Sequence, residues 1–202
     1  MVVPSFRSAL ILLVLAALVP LQAATLSRQQ ADTFSQKVAV IQKQGEVSSK
    51  AAGAARRTPL SEDEVNSWFT YQSQSLLPNG LTQPKVTIVG GGRVAGQATV
   101  DLEAVAQKRA SGGPFDPWSL VGGRVPLNVI GVLHTRDGMG RFELQSADIG
   151  GVPVPKTILQ ELVSQYSRTK EHPAGVNLDD AFALPAKIRQ IEVGQGQAVI
   201  VQ

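Results

Sequence analysis

The chain has no cysteine among its 202 residues. That excludes disulfides, thiolate nucleophiles and a lipid-modified cysteine behind an export signal, so any membrane contact must be non-covalent. Histidine is scarce as well. His134 and His172 are the only two, and neither has a second ligand at metal-site spacing, so no metal site is expected. Charge of one sign is also in short supply: 19 basic residues stand against 16 acidic ones. Spread along the chain, that excess is too weak a field to attract nucleic acid. Local catalytic motifs are missing too. No G-x-S-x-G elbow holds a serine on a sharp turn, and Asp179 and Asp180, being adjacent, point in opposite directions on an extended stretch and suit a turn or cap better than an acid/base pair. The expectation is a protein that is not an enzyme and carries no cofactor.

What is present begins with a secretory pattern. Arg7 provides a basic start, residues 9–19 (ALILLVLAALV) form an apolar run, and Pro20 precedes the small residues Ala23 and Ala24. The order basic, apolar, small is that of a cleavable signal peptide. The run is shorter than the roughly 20 apolar residues a retained transmembrane helix needs. Residues 1–23 are read as the signal, with cleavage after Ala23 or Ala24 and a periplasmic or secreted product. Some 180 residues then remain, about enough for one domain with a real core.

Residues 26–42 place Phe34, Val38 and Ile41 at helical spacing, which predicts a moderately amphipathic helix. Residues 45–59 (GEVSSKAAGAARRTP) are small, polar and aperiodic and read as a linker or frayed helix end, with Arg56 and Arg57 solvated. The expected organisation is therefore an N-terminal helix and linker over 24–59 and a single domain over 60–202. Ser61-Glu62-Asp63-Glu64 has the form of a capping box, and Val65, Trp68 and Phe69 give the helix it opens an apolar stripe.

After Gly80 the period changes from helical to alternating. Arg93, Ala95, Gln97, Thr99, Asp101 and Glu103 alternate with Val94, Gly96, Ala98, Val100, Leu102 and Ala104, as in a strand with one wet face. Residues 85–89 precede it across three glycines, a connection suited to a hairpin. A second hairpin, 125–136 with 141–149, turns at Asp137-Gly138, with Phe142 and Leu144 facing away from Arg141, Glu143 and Gln145. A third joins 186–193 to 197–201. Between the last two, Pro155 suits a first helical position, and Ile158, Leu159, Leu162, Val163 and Tyr166 form an apolar face. The fold class is α+β: a long curved antiparallel sheet wrapped around an amphipathic helix, with an additional N-terminal helix.

Val86-Thr87-Ile88-Val89-Gly90-Gly91-Gly92 imitates the strand and glycine turn of a dinucleotide site. Such a site needs a helix straight after the glycines to hold the pyrophosphate. Here the next 12 residues alternate as a strand does, so the motif lacks its context.

The order of these elements resembles a family. Leu60-Ser61-Glu62-Asp63-Glu64-Val65-Asn66 opens a helix before the strands, Val152-Pro153-Val154-Pro155 leads into an amphipathic helix, and Phe182-Ala183-Leu184-Pro185 leads to a closing hairpin with Ile188-Arg189-Gln190-Ile191-Glu192-Val193. Over residues 60–202 this is similar to small bacterial periplasmic members of the tubular lipid-binding superfamily. The resemblance implies a sheet wrapped round a helix, an apolar groove for acyl chains, and phospholipid or fatty acid as partner. Residues 107–124 depart from it, being longer and richer in glycine and proline than a simple strand connection.

Ligand-binding candidates are the apolar positions of strands and helix: Val94, Ala98, Val100, Leu102, Phe142, Leu144, Ile158, Leu159 and Leu162. The small residues among them leave room for a ligand or allow the helix to pack closely. The loop Gly112-Gly113-Pro114-Phe115-Asp116-Pro117-Trp118 cannot continue a central strand, because its prolines lack the ladder amide. Phe115 and Trp118 either pin that loop to the body or form a lid touching a membrane surface transiently. The expected function is an exported, monomeric binder or carrier of lipid or another apolar ligand. The alternative is a structural or protein-interaction module of the envelope.

Overall fold

The computed structural model describes residues 26–46, 55–104, 123–166, 168, 174–175 and 177–202, without the side chains of Leu162, Gln165 and Tyr166. The described chain is α+β, with two antiparallel sheets. Helix α1 (Arg28–Glu46) is followed by β1 (Arg57–Ser61), α2 (Glu62–Tyr71), a short 3-10 turn (Gln74–Leu76), and the strands β2 (Leu81–Gly90) and β3 (Arg93–Asp101). Then come β4 (Arg124–Arg136), β5 (Met139–Ile149), β6 (Val152–Pro153), α3 (Lys156–Tyr166), β7 (Phe182–Ala183), β8 (Gln190–Val193) and β9 (Gln197–Val201). The larger sheet is open and ordered β2-β3-β4-β5-β6, with β7 also on β5; the smaller runs β1-β9-β8.

Local chemistry explains most of these boundaries. The capping box forms as the sequence predicts: Glu64 N–H donates to Ser61 Oγ at 3.1 Å and Ser61 N–H donates to the Glu64 carboxylate at 3.0 Å, satisfying amides that the first helical turn leaves free. Asp137 (φ 49°) and Gly138 (φ 79°) form the two-residue turn between β4 and β5, the left-handed pair that matches the twist of its strands. β3 ends at Asp101, earlier than alternation alone predicts, because the Asp101 carboxylate accepts from Ala104 N–H at 3.1 Å and residues 102–104 turn helical. The third hairpin starts late as well: Ala186 and Lys187 both have φ 53°, so its first strand begins only at Gln190.

The core gathers on the smaller sheet. Ile41 of α1, Leu60 of β1, Leu184, Ile188 and Ile200 of β9 form one buried cluster, with Phe34, Ala186 and Ile191 packed against it. The contact is close enough that a Cβ at Gly45 would lie 2.5 Å from Ala186 Cα. Helix α1 also packs on α2, through Phe34 and Trp68 (ring centroids 5.5 Å apart) and the Lys37–Glu64 ion pair at 2.7 Å. β1 begins at Arg57, inside the stretch read as linker, where it pairs with β9. Gly196 joins the sheets, its carbonyl accepting from Glu62 N–H and its N–H donating to the Ile88 carbonyl, both at 2.8 Å.

Candidate functional site

The larger sheet separates its two faces across four strands. Directly opposed residues in an antiparallel ladder point to the same side. The register pairs Ile88 with Val94, Val86 with Gly96 and Leu81 with Val100. It continues with Val94 opposite Gly131, Ala98 opposite Leu127 and Val100 opposite Val125. On β5, Leu144 faces Gly131 and Phe142 faces Leu133. Five of the predicted ligand-binding residues, Val94, Ala98, Val100, Phe142 and Leu144, therefore lie on one apolar face. Val100 is buried, and the other four are half-buried. The opposite face is polar, with Gln97, Asn128 and Asp148 linked across three strands at 3.2 and 3.0 Å.

A bulge keeps this face continuous. Ile130 pairs with Ser146 but Gly131 with Leu144, so one extra residue of β5 is accommodated and the apolar parity holds on both sides of it. Gly131 has no side chain for a packing reason: its Cβ would come 2.3 Å from the Phe142 ring. Phe142 thus reaches over β4 at Gly131.

The remaining predicted residues sit elsewhere or outside the description. Leu102 is buried but lies beyond the end of β3. Ile158 is half-buried and Leu159 buried on α3, which topology places between β6 and β7 at opposite ends of β5. α3 is tied to the following turn by Gln160, which accepts from Leu178 N–H at 2.6 Å, and by the Lys156–Asp179 ion pair. The side chain of Leu162, and Phe115, Trp118, His172 and residues 1–23, lie outside the described residues.

His134 is exposed and meets Glu143 at 3.0 Å on the polar face. No group of three or more His, Asp or Glu side chains among the described residues is arranged to hold a metal ion, and no helix among them is long and apolar enough to cross a membrane.

Among the described residues, two open cavities adjoin the sheet. One, of about 660 Å³, lies beside the junction of the end of β4 with β8, with Thr135, Arg136, Arg141, Gln190 and Glu192 in its wall. The other, of about 670 Å³, lies between α2 and β2; Leu26, Phe69, Leu77, Leu81 and Pro84 provide its apolar wall and Lys85 its charge. Sequence reasoning missed this second cavity. Its one local signal is Pro84, which interrupts the strand ladder: Thr82 pairs with Thr99 but Lys85 with Gln97, and Gln83 takes φ 52°. A bulge of this kind turns side chains away from the regular pleat.

No family model matches the chain, and neither a curated protein nor a solved structure matches it.

Proposed function

We propose that the chain is exported and that its mature domain binds or carries lipid or another apolar ligand without catalysis. The observation that supports this is the apolar face running unbroken over β2, β3, β4 and β5, most of whose side chains are only half-buried. Half-buried apolar side chains of that extent gain by meeting an apolar ligand. Burying acyl chain yields about 0.8 kcal/mol per methylene, so ten methylenes supply roughly 8 kcal/mol before ordering costs. That equals the net free energy of about micromolar binding, which requires a preformed groove that loses little freedom. Phospholipid and fatty acid are the proposed ligands, the protein acts as a monomer, and Phe115 and Trp118 are its proposed contacts with a membrane surface.

The mature domain, purified without detergent, is expected to release phospholipid or fatty acid into organic solvent and to take up added lipid in native mass spectrometry. Detection of the bare polypeptide mass alone, with no uptake, would favour the alternative, an interaction module of the envelope. One observation supports that alternative: β6 pairs only with Asp148 and Ile149, and β7 only with Met139 and Gly140. Between them the outer edge of β5 pairs with no described strand, and such an edge is a template for an added one.

A further inference from the structure

The cavity between α2 and β2 has one charge in its wall. Asn66 spends its side-chain amide on Val86, Thr70 donates to the Asn66 carbonyl at 2.9 Å, and Gln74 donates to the Thr70 carbonyl at 3.3 Å. Thr82 donates to the Thr99 carbonyl and Gln83 accepts from the Thr99 hydroxyl, both at 3.4 Å. Each of these polar residues thus makes at least one hydrogen bond within the protein, although Gln74, Thr82 and Gln83 are exposed. Lys85 is different: it is exposed and makes no ion pair or side-chain hydrogen bond among the described residues.

Beside these polar residues the wall is apolar, formed by Leu26, Phe69, Leu77, Leu81 and Pro84. Leu76, between the wall residues Gln74 and Leu77, is 70% exposed, and Leu26 is 40% exposed. Leu81 belongs both to the cavity wall and to the apolar face of the sheet, opposite Val100. A volume of about 670 Å³ falls within the range of small-molecule sites. An apolar wall with a single unpaired cation at its edge complements a molecule with an apolar body and one anionic end.

We propose that this cavity is the head-group site for a single-chain amphiphile with an anionic head, carboxylate or phosphate, which pairs with Lys85 on the polar side of β2, opposite Gln97, while the chain crosses the open edge of that strand past Leu81 onto the apolar face of the sheet. This rests on the lipid-binding reading and adds to it the charge of the ligand and the place where its head is held. The bulge at Gln83 and Pro84 is what opens the strand edge there.

Calorimetric titration of the mature chain with dodecanoate, dodecyl phosphate and dodecyltrimethylammonium, each below its micellar concentration, tests it, with inorganic phosphate as a fourth probe. The two anionic amphiphiles are expected to bind about tenfold tighter than the cationic one of equal chain length, a difference a single charge pair can supply. Lys85→Glu is expected to reverse that order and Lys85→Arg to keep it; Lys85→Gln, which adds no charge, is expected to abolish the preference. Amide shifts on dodecanoate binding should centre on Phe69, Leu77, Leu81 and Lys85. Equal binding of all three amphiphiles to the wild type and to Lys85→Glu would overturn the head-group site while leaving the lipid reading intact. Inorganic phosphate bound as tightly as dodecyl phosphate would overturn it too, since the apolar wall would then contribute nothing. Failure of every amphiphile to bind would remove the lipid reading itself, and this site with it.

Discussion

Asn66 occupies a position in α2 where an apolar residue would ordinarily serve the core. Its side-chain amide instead completes the edge of β2, donating to the Val86 carbonyl at 2.8 Å and accepting from Val86 N–H at 2.7 Å. The residue is buried, so both bonds are made in a medium where a lost partner is not replaced freely by water. Leaving a buried donor or acceptor unpaired costs about 1–3 kcal/mol. Asn66→Ala is therefore expected to destabilise the domain by about 2 kcal/mol or more, read as a lower urea midpoint at unchanged slope. An unchanged midpoint would mean that these two bonds add nothing. No local signal announces this role, since the partner strand begins 15 residues later and an asparagine within a helix otherwise reads only as a weak helix former. Gly131 is similar: its need for a bare Cα depends on the Phe142 ring of the neighbouring strand.

At the scale of elements, legibility followed the distance between partners. The capping box of α2 has both of its members within four residues, and the Asp137-Gly138 turn has its whole geometry in two, so each could be read directly. β1 could not. Its five residues contain a proline and three polar side chains, and what makes them a strand is β9, whose Val201 stands opposite Arg57. The Arg57–Glu192 pair ties β1 to β8 across β9, with Arg57 Nη1 donating to Glu192 Oε1 at 2.9 Å. The hydrogen bond from Arg57 first, and its positive charge as well, hold the Glu192 carboxyl below its ordinary range, and the same contact raises Arg57. Because Glu192 is lowered in the folded state, its contribution is present above the unfolded carboxylate value and is lost as pH falls through the folded one. Both groups are exposed, so the effect is small and screened by salt. Glu192→Gln is expected to lower the thermal midpoint slightly at neutral pH and low salt, and to match the wild type once the pH is below the carboxylate range. A midpoint difference that persisted there, or survived molar salt, would point to packing and not charge.

For the molecule as a whole, the proposed export makes a direct prediction. Secreted material should begin at Ala24 or Thr25 on N-terminal sequencing, and recovery of intact Met1 in the membrane fraction would contradict it. Just after that point the described chain is tied to α2: Leu26 accepts from the Tyr71 hydroxyl at 3.3 Å, and Ser27 N–H donates to Ser67 Oγ at 3.1 Å. Sequence by itself determined the α+β class, the hairpins and the division of the larger sheet into a wet and an apolar face, because side chains alternate along a strand whatever it pairs with. Tertiary structure alone decided that α1 closes the core of the smaller sheet, that residues 57–61 form a strand, and that Phe142 lies over Gly131. It also decided that a cavity opens beside Lys85. Those features depend on residues brought together from distant parts of the chain, and on where a bulge shifts the register by one, and a local period carries neither.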